Sequence, residues 1–179
     1  MPTYAAFLRA INLGSHNKLA MPKLREIVEG LPATDVSTHV QSGNVVFRST
    51  LRSAAKVEQA LEKALKKEAG LEVRVMVRTP AQLAKLVDGC PFAARCDDPT
   101  KLHVTFLEEA PAKAKLEAID PEGFLPDEWA VDGREVYLFC PEGYGRSKLS
   151  NAYFEGKLKV AGTTRNWRTV TTLAELTRG

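Results

Sequence analysis

Apolar residues along the first 78 positions switch repeatedly between a run, a helical spacing and a short alternation, and each switch marks an element. The run over residues 4–13 is mostly apolar, broken by Arg9 and Asn12, and predicts a strand buried over most of its length. Beyond Gly14 the spacing widens. Met21, Leu24, Ile27, Val28 and Leu31 fall on one helical face, with Pro22 suited to the first turn. Residues 36–41 and 45–48 predict two short strands around the turn Ser42-Gly43-Asn44. Over 53–69 the stripe Ala54, Val57, Leu61, Ala64, Leu65 is helical again, and Gly70 supplies a C-terminal stop. Residues 71–77 close the series as a strand. The order β-α-β-β-α-β is the ferredoxin-like split arrangement.

A second unit starts at Thr79-Pro80-Ala81-Gln82, a capping-box pattern with proline at the first helical position, predicting a helix to about Val87. Residues 102–106 alternate as a strand and 111–119 read as a helix. Strands over 128–131 and 134–140 are expected to meet across Asp132-Gly133, a dipeptide that tolerates a type I′ turn. Helices follow from about Ser147 to Glu155 and from about Asn166 to Leu176. The expected fold class is α+β, with two ferredoxin-like βαββα-type subdomains and an extra C-terminal helix. The expected boundaries are residues 1–78 for a βαββαβ subdomain and 79–179 for a second α+β subdomain with C-terminal helices. No residue-level repeat between the halves is evident.

Composition narrows the class of protein. A chain of 179 residues, 44% hydrophobic and 26% charged, buries a sizeable core, which excludes disorder. The net charge of +3 is far from the basic stripe of a dedicated DNA-binding domain. Cys90, Cys96 and Cys140 lack zinc-ligand spacing and read as reduced thiols of a cytoplasmic protein. No apolar run approaches the roughly 18 residues of a membrane span, so no membrane association is expected. No paired carboxylates, Ser-His-Asp order or metal-ligand grouping stands out, and neither a metal nor a cofactor is expected.

Two polar clusters carry candidate chemistry. In the first unit, antiparallel pairing of the first and third strands gathers Arg9, Asn12, Gly14, Gln41, Ser42 and Asn44 at one end of the sheet. Amides and backbone N–H groups there can cradle an oxyanion, although Asn and Gly also serve as plain turn residues. In the second unit, Gly143-Tyr144-Gly145-Arg146-Ser147-Lys148 sets two cations at an expected helix start, while lacking the Walker pattern. The run Thr163-Thr164-Arg165-Asn166-Trp167-Arg168 is expected to open another helix with arginines on its first turns. Cations oppose a helix N-terminus by roughly 0.3 to 1 kcal/mol, and a bound anion reverses that sign. Arg146, Ser147, Lys148, Thr164, Arg165, Asn166 and Trp167 are therefore the second set of candidate ligand-binding residues.

Three segments together resemble one known family. Leu8-Arg9-Ala10-Ile11-Asn12-Leu13-Gly14, Gln41-Ser42-Gly43-Asn44-Val45-Val46-Phe47 and Thr163-Thr164-Arg165-Asn166-Trp167-Arg168-Thr169-Val170 are similar to the bacterial domain of unknown function 1697 family. Ala10 and Ser15 stand where its pattern carries glycine. The resemblance implies an α+β fold with ferredoxin-like subdomains and brings no activity, cofactor or substrate with it. Function therefore rests on the residues. The favoured expectation is a non-catalytic module for a small anionic ligand, a phosphorylated metabolite, nucleotide or nucleic acid. Nucleic acid is the weaker partner, because no strand carries a run of exposed aromatics. The alternatives are an enzyme acting on a phosphorylated or carboxylated substrate, with His16 or His103 as proton-transfer groups, and a scaffold.

Overall fold

A computed structural model describes residues 1–179, which divide into two compact units, Met1–Lys85 with Thr172–Gly179, and Leu86–Thr171. The first contains β1 (Thr3–Leu8), α1 (Met21–Glu29), β2 (Ala33–His39), β3 (Asn44–Ser49), α2 (Ala54–Ala69) and β4 (Val75–Arg78), followed by α3 (Pro80–Asp88), which begins in this unit. Its antiparallel sheet runs β2-β3-β1-β4. Tyr4, Ala6 and Leu8 of β1 pack with Leu24 and Val28 of α1 and Leu61 and Leu65 of α2, the stripes that the helical spacing implied.

Local chemistry sets the element ends. Ser53 caps α2 by accepting the Lys56 amide, and Gly70 ends it at φ +65°, a left-handed value that glycine adopts without strain. The Thr79 hydroxyl accepts the Gln82 amide while Gln82 accepts the Thr79 amide, closing the capping box at the start of α3. β1 is shorter than its apolar run, because Ala10 (φ 56°) and Asn12 (φ 57°) turn the chain after Leu8. The β2–β3 loop spans residues 40–43, longer than the expected tight turn. Gly43 sits at φ +83°, and a Cβ there would lie 2.9 Å from the Leu8 Cβ, so both backbone and packing demand glycine.

The second unit contains β5 (Leu102–Leu107), α4 (Lys113–Glu117), β6 (Glu128–Asp132), β7 (Glu135–Phe139), α5 (Asn151–Leu158), β8 (Gly162–Asn166) and the first turns of α6 (Trp167–Thr177). Its sheet order is β6-β7-β5-β8, the same arrangement as in the first unit. Leu107, Val136 and Leu138 of the sheet pack with Phe154 and Leu158 of α5. The β6–β7 connection is Gly133-Arg134, with Gly133 at φ +59° in the first central position; this is the II′ signature, not the expected I′ turn across Asp132-Gly133.

The larger correction is β8. The run expected to open a helix at Thr163 is the fourth strand of this sheet, paired with β5 through Val104↔Arg165, Thr105↔Thr164 and Phe106↔Thr163. The Thr hydroxyls read as caps, whereas two consecutive β-branched residues suit a pleated strand. The second unit is therefore a complete βαββαβ. No helix of the chain is long and apolar enough to cross a membrane.

Candidate functional site

In the first unit the predicted amides are engaged in holding turns. The Asn12 Nδ2 donates to the Leu19 carbonyl at 2.9 Å and the Gln41 carbonyl at 2.7 Å, and its Oδ1 accepts the Leu19 amide at 2.8 Å. Asn44 is fully buried, and its Nδ2 donates to the His39 carbonyl at 2.9 Å and the Ser42 hydroxyl at 3.0 Å. Both side chains thus brace the loop over 40–43. Arg9 donates its backbone amide to the Arg74 carbonyl, and Gly14 is an exposed residue at φ +59°. Ala20, which carries no capping side chain, starts α1.

In the second unit the expected helix starts move. Tyr144–Arg146 form a single 3-10 turn, and α5 begins only at Asn151, capped by Ser150 rather than Ser147. Ser147 instead accepts the Leu149 amide at 3.0 Å. Arg146 and Lys148 are exposed and precede the helix, so they do not oppose its dipole. Arg165 is also displaced from a helix start. It lies in β8 with only 7% exposure, its Nη1 donating to the Thr163 hydroxyl and the Thr164 carbonyl. Burial pulls its pKa down to about 10, so it is charged at neutral pH. Asn166 is the residue that caps α6, accepting the Thr169 amide at 2.9 Å through Oδ1. Thr164 shares a hydroxyl hydrogen bond with Thr105 at 2.7 Å and donates to Asn151 Oδ1 at 3.1 Å. Trp167 is half-buried at the first position of α6.

What these shifts assemble is a small pocket of about 180 Å³ lined by Pro99, Thr100, His103, Asn166 and Arg168. β5–β8 pairing creates it, because His103 lies opposite Asn166 in register. The His103 ring stacks on Tyr144 with centroids 4.3 Å apart, and its Nδ1 is buried with no hydrogen-bond partner. Desolvation pushes the imidazole down to about 4, so it is neutral at pH 7. Arg168 is exposed on the first turn of α6. Asp98 stands nearby, held below the usual carboxylate range by the Thr100 hydroxyl and amide and, more weakly, by Lys101 and Arg168. Asn166, one of the expected residues, lines this pocket; Arg146, Lys148, Arg165 and Trp167 do not. The sequence offered His103 only as a proton-transfer group of the enzyme alternative and gave no sign of Pro99 and Thr100. The signal was the strand alternation of 102–107 set against a strand, rather than a helix, at 162–166.

A groove of about 560 Å³ between α1 and α2 in the first unit is larger. Its rim lysines Lys23 and Lys67 are paired with Glu26 and Glu68, and its floor of Ile27, Leu31, Ala60 and Ala64 offers no acid, base or nucleophile. The smaller pocket brings a histidine, an amide and an arginine together.

A family described as a protein of unknown function (DUF1697) matches residues 1–137. The chain belongs to this family. A DUF1697 match that ends within β7 includes His103 and stops before Asn166 and Arg168. The solved structure of a conserved bacterial protein from Streptococcus pneumoniae superposes with a TM-score of 0.75 at 20% identity, covering 98% of each chain. That likeness carries the fold of this DUF1697 chain, including its last strand and helix, and nothing about its chemistry. No curated protein matches the sequence.

Proposed function

We propose that this protein is a non-catalytic binding module whose second unit takes a small anionic ligand in the pocket of His103, Asn166 and Arg168. One observation carries the reading. An exposed guanidinium, a side-chain amide whose Oδ1 is already committed to the α6 cap, and a neutral imidazole line a single 180 Å³ space. Capping directs the Asn166 carbonyl oxygen inward to its helix, which leaves Nδ2 as the group to meet a ligand. The guanidinium supplies charge, and the two neutral groups supply direction. The site replaces the broader surface anticipated around Arg146, Lys148 and Arg165, since the first two are exposed on a turn and the third serves β8.

A thermal-shift titration with acetate, phosphate and sulfate tests this. An anion that occupies the pocket raises Tm with concentration, by the equivalent of about 2.7 kcal/mol at one hundred times Kd. Arg168→Ala is expected to abolish the rise without changing the ligand-free Tm, because the side chain is exposed. An equal rise in wild type and variant would assign the anion effect elsewhere and defeat the proposal.

A further inference from the structure

The proposed pocket says more than that its occupant is negative. We infer that the occupant presents a singly charged carboxylate, not a doubly charged phosphate or sulfate; the inference rests on the binding reading above.

Charge counting comes first. Among the five lining residues Arg168 is the only formal cation. His103 does not supply a second one. Its Nδ1 is sealed from solvent with no acceptor, so protonating the ring would leave a second N–H buried and unsatisfied. Buried orphan N–H groups are rarer than orphan acceptors, which favours the tautomer with a bare Nδ1 and a proton on Nε2. The ring then enters the site as a neutral donor. Its other neighbours add no cation: Leu138 opposes it across the β5–β7 pairing, and Tyr144 covers its face.

Surrounding charges favour the same count. On the turn that opens at Asp98, the carboxylate of that residue is held against the pocket-lining Thr100, accepting from its Oγ1 at 2.7 Å and its N at 2.9 Å. Lys101 beside it is half-buried and is not among the lining residues, and Arg146, two residues past the stacked Tyr144, is exposed on its own turn. One guanidinium balances one negative charge. A second would find no further cation among the lining residues and would add to the negative charge that Asp98 already sets beside Thr100. The donor set of Nε2–H, Asn166 Nδ2 and the Arg168 fork suits the two oxygens of a carboxylate, with one donor to spare.

The test is an NMR titration of the intact protein at pH 7 and matched ionic strength, following the His103 ring nitrogens and the Arg168 Nε. Acetate, methanesulfonate and sulfate are the probes; the last two share a tetrahedral shape and differ in charge. Acetate and methanesulfonate are expected to shift both sets of signals saturably, with dissociation constants at least tenfold below that of sulfate. His103 keeps the pattern of a neutral ring protonated on Nε2 throughout. N-acetylglycine, a stand-in for a peptide C-terminus, is then ranked against acetate, so that tighter binding of one or the other assigns the group to a chain end or to a free acid. Sulfate binding as tight as acetate overturns the inference while leaving the binding module standing. So does methanesulfonate behaving like sulfate, or His103 becoming an imidazolium on binding. Silence of both signals toward every anion removes the binding reading itself.

Discussion

His103 shows how a single side chain ties stability to pH. Its ordinary value of 6.5 applies to the unfolded chain, and burial lowers it to about 4 in the fold. Between those values the unfolded chain holds a proton that the native chain does not, so stability falls as pH drops from about 6.5 and levels off below about 4. The contribution is on the order of 1–2 kcal/mol once the exposed part of the ring is allowed for. Urea midpoints at pH 7 and pH 4.5 measure it. His103→Phe keeps an aromatic ring against Tyr144 and removes the titration, so the variant should lose less stability on acidification than wild type; an identical loss would mean that the ring is solvated. The sequence named this residue as a proton-transfer candidate but did not show its burial, since a histidine in an alternating strand reads the same whether its nitrogens meet water or apolar neighbours. Asn44 was more legible: an amide beside Gly43 at a strand start signalled a turn, and the buried side chain holds that turn.

At the level of elements, the last strand of each sheet is closed by carboxylates from the helix before it. Glu62 and Glu58 of α2 accept the Val75 and Val77 amides of β4 at 3.0 and 2.9 Å. Glu155 of α5 accepts the Gly162 amide of β8 at 3.1 Å, while Asn151 donates to the Gly162 carbonyl. An open edge offers a row of unpaired amides to another strand, and these side chains occupy it. Glu62→Ala is expected to cost about 1.5–3 kcal/mol, the range for a hydrogen bond to a charged group, and to speed hydrogen exchange at Val75. Glu62→Gln retains an acceptor and should cost less. Unchanged exchange at Val75 in the alanine variant would show that the carboxylate does not guard the edge. Helix boundaries carried by local chemistry, such as Ser53, Gly70 and the Thr79–Gln82 pair, were readable from sequence. β8 was not, because its Gly-Thr-Thr-Arg-Asn run has no apolar alternation and owes its strand geometry to pairing with β5.

Across the whole molecule one plan is used twice, and the repeat reaches individual residues once β8 is recognised. Each unit is a βαββαβ in the same strand order, and each final strand leads into a helix, capped by Thr79 in one and Asn166 in the other. Arg78 lies opposite Ala5 as Arg165 lies opposite Val104. Both arginines are buried, and both donate Nη1 to the preceding residue's carbonyl at 3.0 Å. The equivalent ring positions differ in a telling way. Tyr4 of the first unit sends its hydroxyl to the Leu51 carbonyl at 2.9 Å, whereas His103 of the second leaves a nitrogen without a partner. The two units thus share a plan but differ in how this ring position is satisfied. This correspondence groups Arg165 with Arg78 and separates both from Arg168, which is exposed. Arg78→Ala and Arg165→Ala each empty a buried site and strand its acceptors, and each is expected to lower stability by about 2–4 kcal/mol. Arg168→Ala, at an exposed position, should stay within about 0.5 kcal/mol of wild type. Chemical denaturation of the three variants measures this directly. If Arg165→Ala is as stable as Arg168→Ala, the buried guanidinium is not structural and belongs back among the groups available to a ligand.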